Sequence, residues 1–346
     1  MTFKEFLAWL FRRRQEPRVA PAKPAPVAAR PVEPPEPASI SLDTFCLEAL
    51  NRSRPGPGRL LDKERIKHLA AGVLERAATE TRLPAFPVVA VQVVELVQRG
   101  VPRISELVRL VNQDAALTAH LLRIANSAFY ARGNEITSVR DAVTRMGFRD
   151  LADVASSAAA VALLTDPLQD AGAEFVVERR RLAVHSLACA LGAAWLAMEH
   201  HDDSQQSFLD GLLHDVGKTR GLLALADLSN EGDLYPGEVE AALSLVLDAT
   251  HVELGVSMAQ AWKLPEHVQA ACAGHHVPKT RHLHLIRLAS GLAEVWISDW
   301  REIQLQCHAE VDESAAEMGL TRRQLTAALN QMKDFVARAG KLVDAT

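Results

Sequence analysis

Cysteine is scarce in this chain, and the few present do not pair in sequence. Cys46, Cys189, Cys272 and Cys307 are scattered through 346 residues with no Cys-x-x-Cys among them. That spacing excludes a disulfide framework and a zinc ribbon. Aromatic side chains are also sparse, with only two Tyr set against abundant Ala, Leu and Val, a balance that favours helices over sheets. No signal peptide opens the chain and no apolar run reads as bilayer-spanning, so the cytoplasm is the expected compartment. A basic excess is missing too: the formal charge of −5 gives no general attraction to nucleic acid. Nor does any solenoid-length repeat recur.

Histidine, by contrast, falls in a pattern. Phe208-Leu-Asp-Gly-Leu-Leu-His-Asp-Val-Gly-Lys218 places His214-Asp215 at the end of an apolar helix, with Phe208, Leu212 and Val216 one helical turn apart. Gly217 is read as the left-handed residue that ends this helix. A lone His-Asp pair there would need no more than a local hydrogen bond. But His185 precedes it on a segment that is apolar on nearly every face. His251 follows on another such segment, and His275-His276 close the helix that begins after Leu264-Pro265. Burying these imidazoles with one carboxylate is costly unless a common partner satisfies them. A divalent metal ion is such a partner, since neutral imidazole and carboxylate oxygen are standard ligands. The candidate metal ligands are therefore His185, His214, Asp215, His251, His275 and His276, with Asp215 the one anion among them.

The order His185, His214-Asp215, His251, His275-His276 resembles the HD superfamily of metal-dependent phosphohydrolases. Leu83-Pro-Ala-Phe-Pro87, the stretch from Asn112 to Tyr130, Ile136 to Gly147, and Ala261-Trp-Lys-Leu-Pro265 resemble its HDOD branch, the HD-related output domains of bacterial signalling proteins. The resemblance covers about residues 80 to 295 and implies an all-helical regulatory module with no established reaction. Two positions depart from the hydrolase pattern. Ala289-Ser-Gly-Leu-Ala293 puts Ser290 where a metal-binding Asp is expected, and Val277-Pro-Lys279 replaces the Glu and Gly-Tyr-Pro run of the cyclic di-GMP phosphodiesterases. Serine is a weaker ligand than a carboxylate.

The pattern predicts an all-α, two-lobed helical bundle. Residues 1–16 form an amphipathic helix, and 17–58 a Pro/Ala-rich linker with a short helix. Residues 59–165 make an N-terminal helical lobe, 174–300 the histidine-bearing lobe, and 301–346 a C-terminal helical extension. Asp166 to Ala173 is read as the loop between the lobes. The Val-rich stretch after Pro87 is read as helix because Pro suits the first turn. Ser105 and Asp114 are the expected N-caps, Ser138 with Asp141 a capping box, and Thr321 the cap of a last helix with Leu325, Ala328, Met332 and Phe335 inward.

Three functions remain open. The first is a non-catalytic signalling output module that binds a protein partner or a nucleotide second messenger. In the second, the chain is a metal-dependent phosphohydrolase in which a cation activates water. The third is a membrane-tethered scaffold: Phe3, Phe6, Trp9 and Phe11 followed by Arg12, Arg13 and Arg14 suit the membrane interface, peripheral on the inner membrane, or a groove on a partner. Lys218, Asn126 and Tyr130 are the candidate ligand contacts, although helix-end hydrogen bonds also account for the last two.

Overall fold

A computed structural model describes residues 61–79, 88–98, 102–126, 136–148, 151, 155, 172–298 and 301–344. Residues 1–60, with Phe3 to Arg14 and the linker, lie outside the described residues, as do Tyr130 and most of the 166–173 loop. Among the described residues there is no strand, so the Val-rich stretch after Pro87 is helical as its turn chemistry implies.

The helices of the first half are α1 (Lys63–Thr79), α2 (Val88–Gln98), α3 (Ile104–Val111) and α4 (Ala115–Ala125), followed by a helical stretch over 139–148. Those of the second half are α5 (Ala173–Glu199), α6 (Ser204–Leu213), α7 (Gly217–Asn230), α8 (Val239–Ala261), α9 (Glu266–Gly274), α10 (Arg281–Ile297), α11 (Arg301–Glu317) and α12 (Arg322–Asp344). Leu107, Val111, Leu121, Val139 and Val143 gather into a core of the first lobe that is separate from those of the second. The caps at its helix starts are mostly local. Asp114 Oδ1 accepts from Leu117 N at 2.9 Å and Ser138 Oγ from Asp141 N at 3.1 Å. Ser105 is not a cap: α3 begins at Ile104, behind Arg103, which makes no side-chain cap bond. Arg103, extended at φ −71 and ψ 133, stands at the helix start.

α5 organises the second half. Its apolar composition runs all round, and its side chains enter three cores: one with α10, α11 and α12, one with α1, α7 and α8, and one with α6, α8 and α9. By length and hydropathy α5 and the segment Pro236–Ala261 qualify as membrane spans, which the sequence reading had not recognised. Burial of 78% and 56% of their apolar windows inside the protein accounts for that character as core packing. Two groupings also differ from those expected. α1 packs through Leu69, Val73 and Ala77 onto Leu225, Val246 and Leu247 of α7 and α8, in the histidine-bearing half. The C-terminal helices are not peripheral: Leu325, Ala328, Met332 and Phe335 of α12 are all buried against α5 and α10, inward as their spacing predicts.

Two glycines bring the helices of the site together. A Cβ on Gly211 of α6 would lie 3.0 Å from the Cys189 carbonyl oxygen of α5. A Cβ on Gly217 would lie 1.9 Å from the His251 carbonyl oxygen of α8. Gly217 is thus not the left-handed stop expected from its position. It is the first residue of α7, outside the positive-φ glycines, and its hydrogen atom is what lets α8 pass against the His214-Asp215 turn. Gly217→Ala is expected to cost about 3 kcal/mol or more, because backbone on both sides resists the new methyl. Gly232→Ala, at φ 85 with nothing within 4 Å, should cost about 1–2 kcal/mol. Urea midpoints of the two variants check the difference, and a Gly217→Ala midpoint equal to wild type would contradict it.

Candidate metal centre

The turn between α6 and α7 holds His214 and Asp215 at the middle of the second half. α5 brings His185 from one side, α8 brings His251 from another, and the end of α9 brings His275 and His276. All six residues predicted as ligands converge. Asp215 Oδ2 lies 3.6 Å from His185 Nε2 and 3.5 Å from His214 Nε2, while Oδ1 lies 3.4 Å from His251 Nε2 and 3.3 Å from His275 Nε2. His276 Nε2 stands 2.8 Å from His251 Nε2. His185, His214, Asp215, His251 and His275 are buried, and only His276 is partly exposed.

The backbone decides which imidazole nitrogens face the centre. Nδ1 of His214 sits 2.9 Å from the Gly211 carbonyl, Nδ1 of His251 2.8 Å from that of Asp248, and Nδ1 of His275 2.9 Å from that of Ala271. A carbonyl oxygen only accepts, so each Nδ1 must carry the proton and donate it. In the neutral ring Nε2 then holds a lone pair, the arrangement of metal-ligating histidines. These lone pairs point at a carboxylate, acceptor toward acceptor. Neither His214 Nε2 nor Asp215 Oδ1 has a hydrogen-bond partner. Burial pushes His214 well below the usual imidazole range, and pushes His251 and His276 down to about 4. These three rings are therefore neutral at neutral pH and do not supply the missing positive charge as protons.

One cation is built in. Lys218, the second residue of α7, donates to Asp215 Oδ2 at 2.7 Å. Burial alone would raise the Asp215 carboxyl, but the Lys218 ammonium leads the interactions that outweigh it and hold the group well below the ordinary carboxylate range. Two sets of donor atoms remain around this carboxylate, one of Asp215, His251, His275 and His276 and one of His185, His214 and Asp215, the atoms of each lying within 4.8 Å of one another. Either set could hold a divalent cation through these donors.

Sequence reasoning missed a second, half-buried anion. Glu294 lies one turn beyond Ser290 on α10, and its Oε2 stands 3.2 Å from His185 Nδ1. Its Oε1 accepts from Arg181 at 2.6 Å, and Arg181 also holds Glu178. Burial opposes the Glu294 charge, but Arg181 and His185 outweigh it and keep the carboxyl far below its usual range. Asp215 is thus not the only anion at the cluster: Glu294 stands behind His185 as the orienting carboxylate often found behind a metal-bound imidazole. Its i+4 spacing from Ser290 was the available signal. Ser290 Oγ lies 3.3 Å from His185 Nε2. A further polar knot was also overlooked. Asp210, fully buried on α6, binds His267 Nδ1 at 2.6 Å and His282 Nε2 at 2.7 Å, pinning the starts of α9 and α10 on either side of the His275-His276 turn. Asn126 is engaged structurally, its amide group bonding the Ile136 backbone at both N and O, each at 2.7 Å.

Two outcomes follow from these charges. In chelator-treated protein, His251 and His276, lowered from 6.5 to about 4, bind protons more readily in the unfolded chain. Their neutral packing is fully accommodated above about pH 6.5, and stability should fall as pH drops from there toward 4, by up to about 1.4 kcal/mol per unit for each group. Asp215 contributes only below that window, because its folded carboxyl stays ionised lower still. Equal urea midpoints at pH 7.5 and 4.5 would contradict this. Glu294→Leu leaves Arg181 and His185 facing an empty place and should cost about 3–5 kcal/mol. Adding Arg181→Leu should cost less than the sum of the single changes, which a double-mutant cycle measures.

With this geometry established, comparison with known proteins is informative. The family model of the HDOD domain matches residues 83–278. A protein of Treponema pallidum is 27% identical over 219 residues, covering 60% of this chain, and the chain spans 40% of that relative's length. Two crystal structures share the fold. An HDOD domain protein of Geobacter sulfurreducens is 22% identical, with a TM-score of 0.55 over 80% of this chain and 99% of its own. A protein of Shewanella amazonensis, provisionally named a metal-dependent phosphohydrolase, is 22% identical, with a TM-score of 0.56 over 80% and 99%. The all-helical fold, the sequence match and the convergent histidines agree: this chain belongs to the HDOD domain family.

Proposed function

We propose that this chain is a signalling output module whose second half is organised around a bound divalent cation, and that it works by binding and not by turnover. One observation carries both parts: the His-Asp centre is buried while its lone pairs face an ionised carboxylate. The donors call for a cation, and a nitrogen-rich set with one carboxylate suits zinc or iron better than magnesium or calcium. Closure leaves only His276 of the six ligands in partial contact with solvent, little room for a phosphoester and its attacking water. Ser290 beside His185 also removes a carboxylate that a hydrolytic centre would use. The partner class is a signalling protein or a nucleotide second messenger met in the cytoplasm. The amphipathic stretch 1–16 gives it peripheral contact with the membrane.

A second reading, a metal-dependent phosphohydrolase, draws on Lys218, whose ammonium beside the cluster suits a phosphate, and on the provisional name of the Shewanella protein. Thermal unfolding of the purified full chain with and without EDTA, beside elemental analysis and a screen against phosphomonoesters and cyclic dinucleotides, separates the readings. Chelation should lower Tm by roughly 5–10 °C, the size expected when a ligand near a hundred times its Kd is withdrawn. No substrate should turn over. Hydrolysis that disappears in Asp215→Ala would sink the binding reading in favour of the enzyme.

A further inference from the structure

Among the described residues, three of the four exposed large apolar side chains border one groove. Val176 and Val177 lie in the first two turns of α5, 44% and 66% exposed. Tyr235, 62% exposed, precedes the short turn Pro236–Glu238 that leads into α8. Val177, Pro236 and Gly237 line a groove of about 1140 Å³, whose apolar surface continues through Val184, Leu243, Ile297 and Val336. That volume exceeds the roughly 300–1,000 Å³ of a small-molecule pocket. Two of the charged groups in its wall, Arg181 and Glu178, are already bonded to each other. An uncovered apolar groove of this size suits a chain segment. We propose that it is the docking site of this chain's own N-terminal stretch, with Phe3, Phe6, Leu7, Leu10 and Phe11 seated on its apolar floor. The inference goes beyond the membrane contact given above, since it assigns the place of the same stretch when no membrane holds it.

The point at which the described chain begins favours this occupant. Leu61 packs into the core of α1, α7 and α8. Arg65, in the first turn of α1, binds Glu238 through Nε at 3.0 Å and Nη2 at 2.8 Å, and stands 5.3 Å over the Tyr235 ring. The N-terminal residues therefore join the described protein beside the Pro236-Gly237 wall of the groove. Residues 15–60 connect the stretch to that point, and at roughly 3 Å per residue in their Pro-rich part they have ample reach to bring it back. Tethering raises the effective concentration of the stretch, so a contact of modest affinity stays closed, an advantage that a second copy lacks. Charge is complementary as well. Arg180 reaches α12 at Gly340, next to Lys341, whereas Glu174 and Glu240 supply carboxylates in the first turns of α5 and α8. Those carboxylates suit Arg12, Arg13 and Arg14 at the end of the apolar stripe. An occupant of the groove also lies against Arg181, which holds Glu294 and through it His185, so docking is linked to the buried centre.

The test is fluorescence anisotropy of a dye-labelled peptide of residues 1–16 added to three versions of the full chain. These are wild type, Phe6→Asp/Leu10→Asp, whose own stripe is broken, and that double variant carrying Val177→Lys as well. The double variant should bind the peptide. Wild type, its groove already filled, should bind it at least about ten-fold more weakly. Val177→Lys should weaken binding at least about five-fold relative to the double variant. Val177 is largely exposed, so this change leaves the fold intact, which circular dichroism checks. Without peptide, backbone amides at the starts of α5 and α8 should exchange faster in Phe6→Asp/Leu10→Asp than in wild type. Equal peptide binding by wild type and the double variant, no binding by the double variant, or binding indifferent to Val177→Lys would each overturn the assignment. A wild-type dimer that Phe6→Asp/Leu10→Asp abolishes would place the stretch on a second copy and overturn it too.

Discussion

Asp215 carries a negative charge where water barely reaches it, and the second half of the molecule is arranged around that fact. An isolated buried carboxylate would take up a proton instead of ionising. Here Lys218 on the next helical turn and imidazoles from three helices and a turn surround it. The helices must approach closely to do so, which is why side chains are missing at Gly211 and Gly217. Main-chain carbonyls one turn back then orient the rings, so the local geometry of each helix also sets the chemistry of the centre. A single charge thereby links backbone contact, tautomer and ligand preference.

Much of this was legible in the sequence because it depends on short-range rules. Helix type followed from apolar spacing and composition, the Asp114 and Thr321 caps from residue type, and the convergence of the six ligands from the order of His and His-Asp along core helices. What was not legible depends on which helix passes against which. Gly217 looked like a terminator because a glycine after a helix usually is one. Only the path of α8 shows that it is a contact point. Glu294 carries little local signal, because the Arg181 that holds it inward is 113 residues away in sequence. Asp210 stood in the same run as His214 and drew no notice, since its partners His267 and His282 lie 57 and 72 residues further on. α1 carries enough charge to read as an opening helix of the first lobe, yet its apolar stripe matches α7 and α8.

The two halves divide the work unevenly. The first lobe has its own aliphatic core and local caps. The second invests its polar groups in the interior, with the Asp215 centre and the Asp210 knot both buried between helices. Arg181, Glu294 and His185 join the outer wall of α5 to that interior, so Glu178 is two ion pairs and one imidazole away from Asp215.

The place of α12 has a consequence for how the protein is made. Met332 and Phe335 fill the flank of α5 around Gly192, and α5 is synthesised more than a hundred residues earlier. While the ribosome is still adding α6 to α11, α5, the longest helix among the described residues, has one face uncovered. That interval is where a nascent chain invites chaperones or self-association. Docking of α12 therefore completes this core late, and a chain truncated before residue 332 would keep the His-Asp cluster while leaving the α5 flank around Gly192 uncovered.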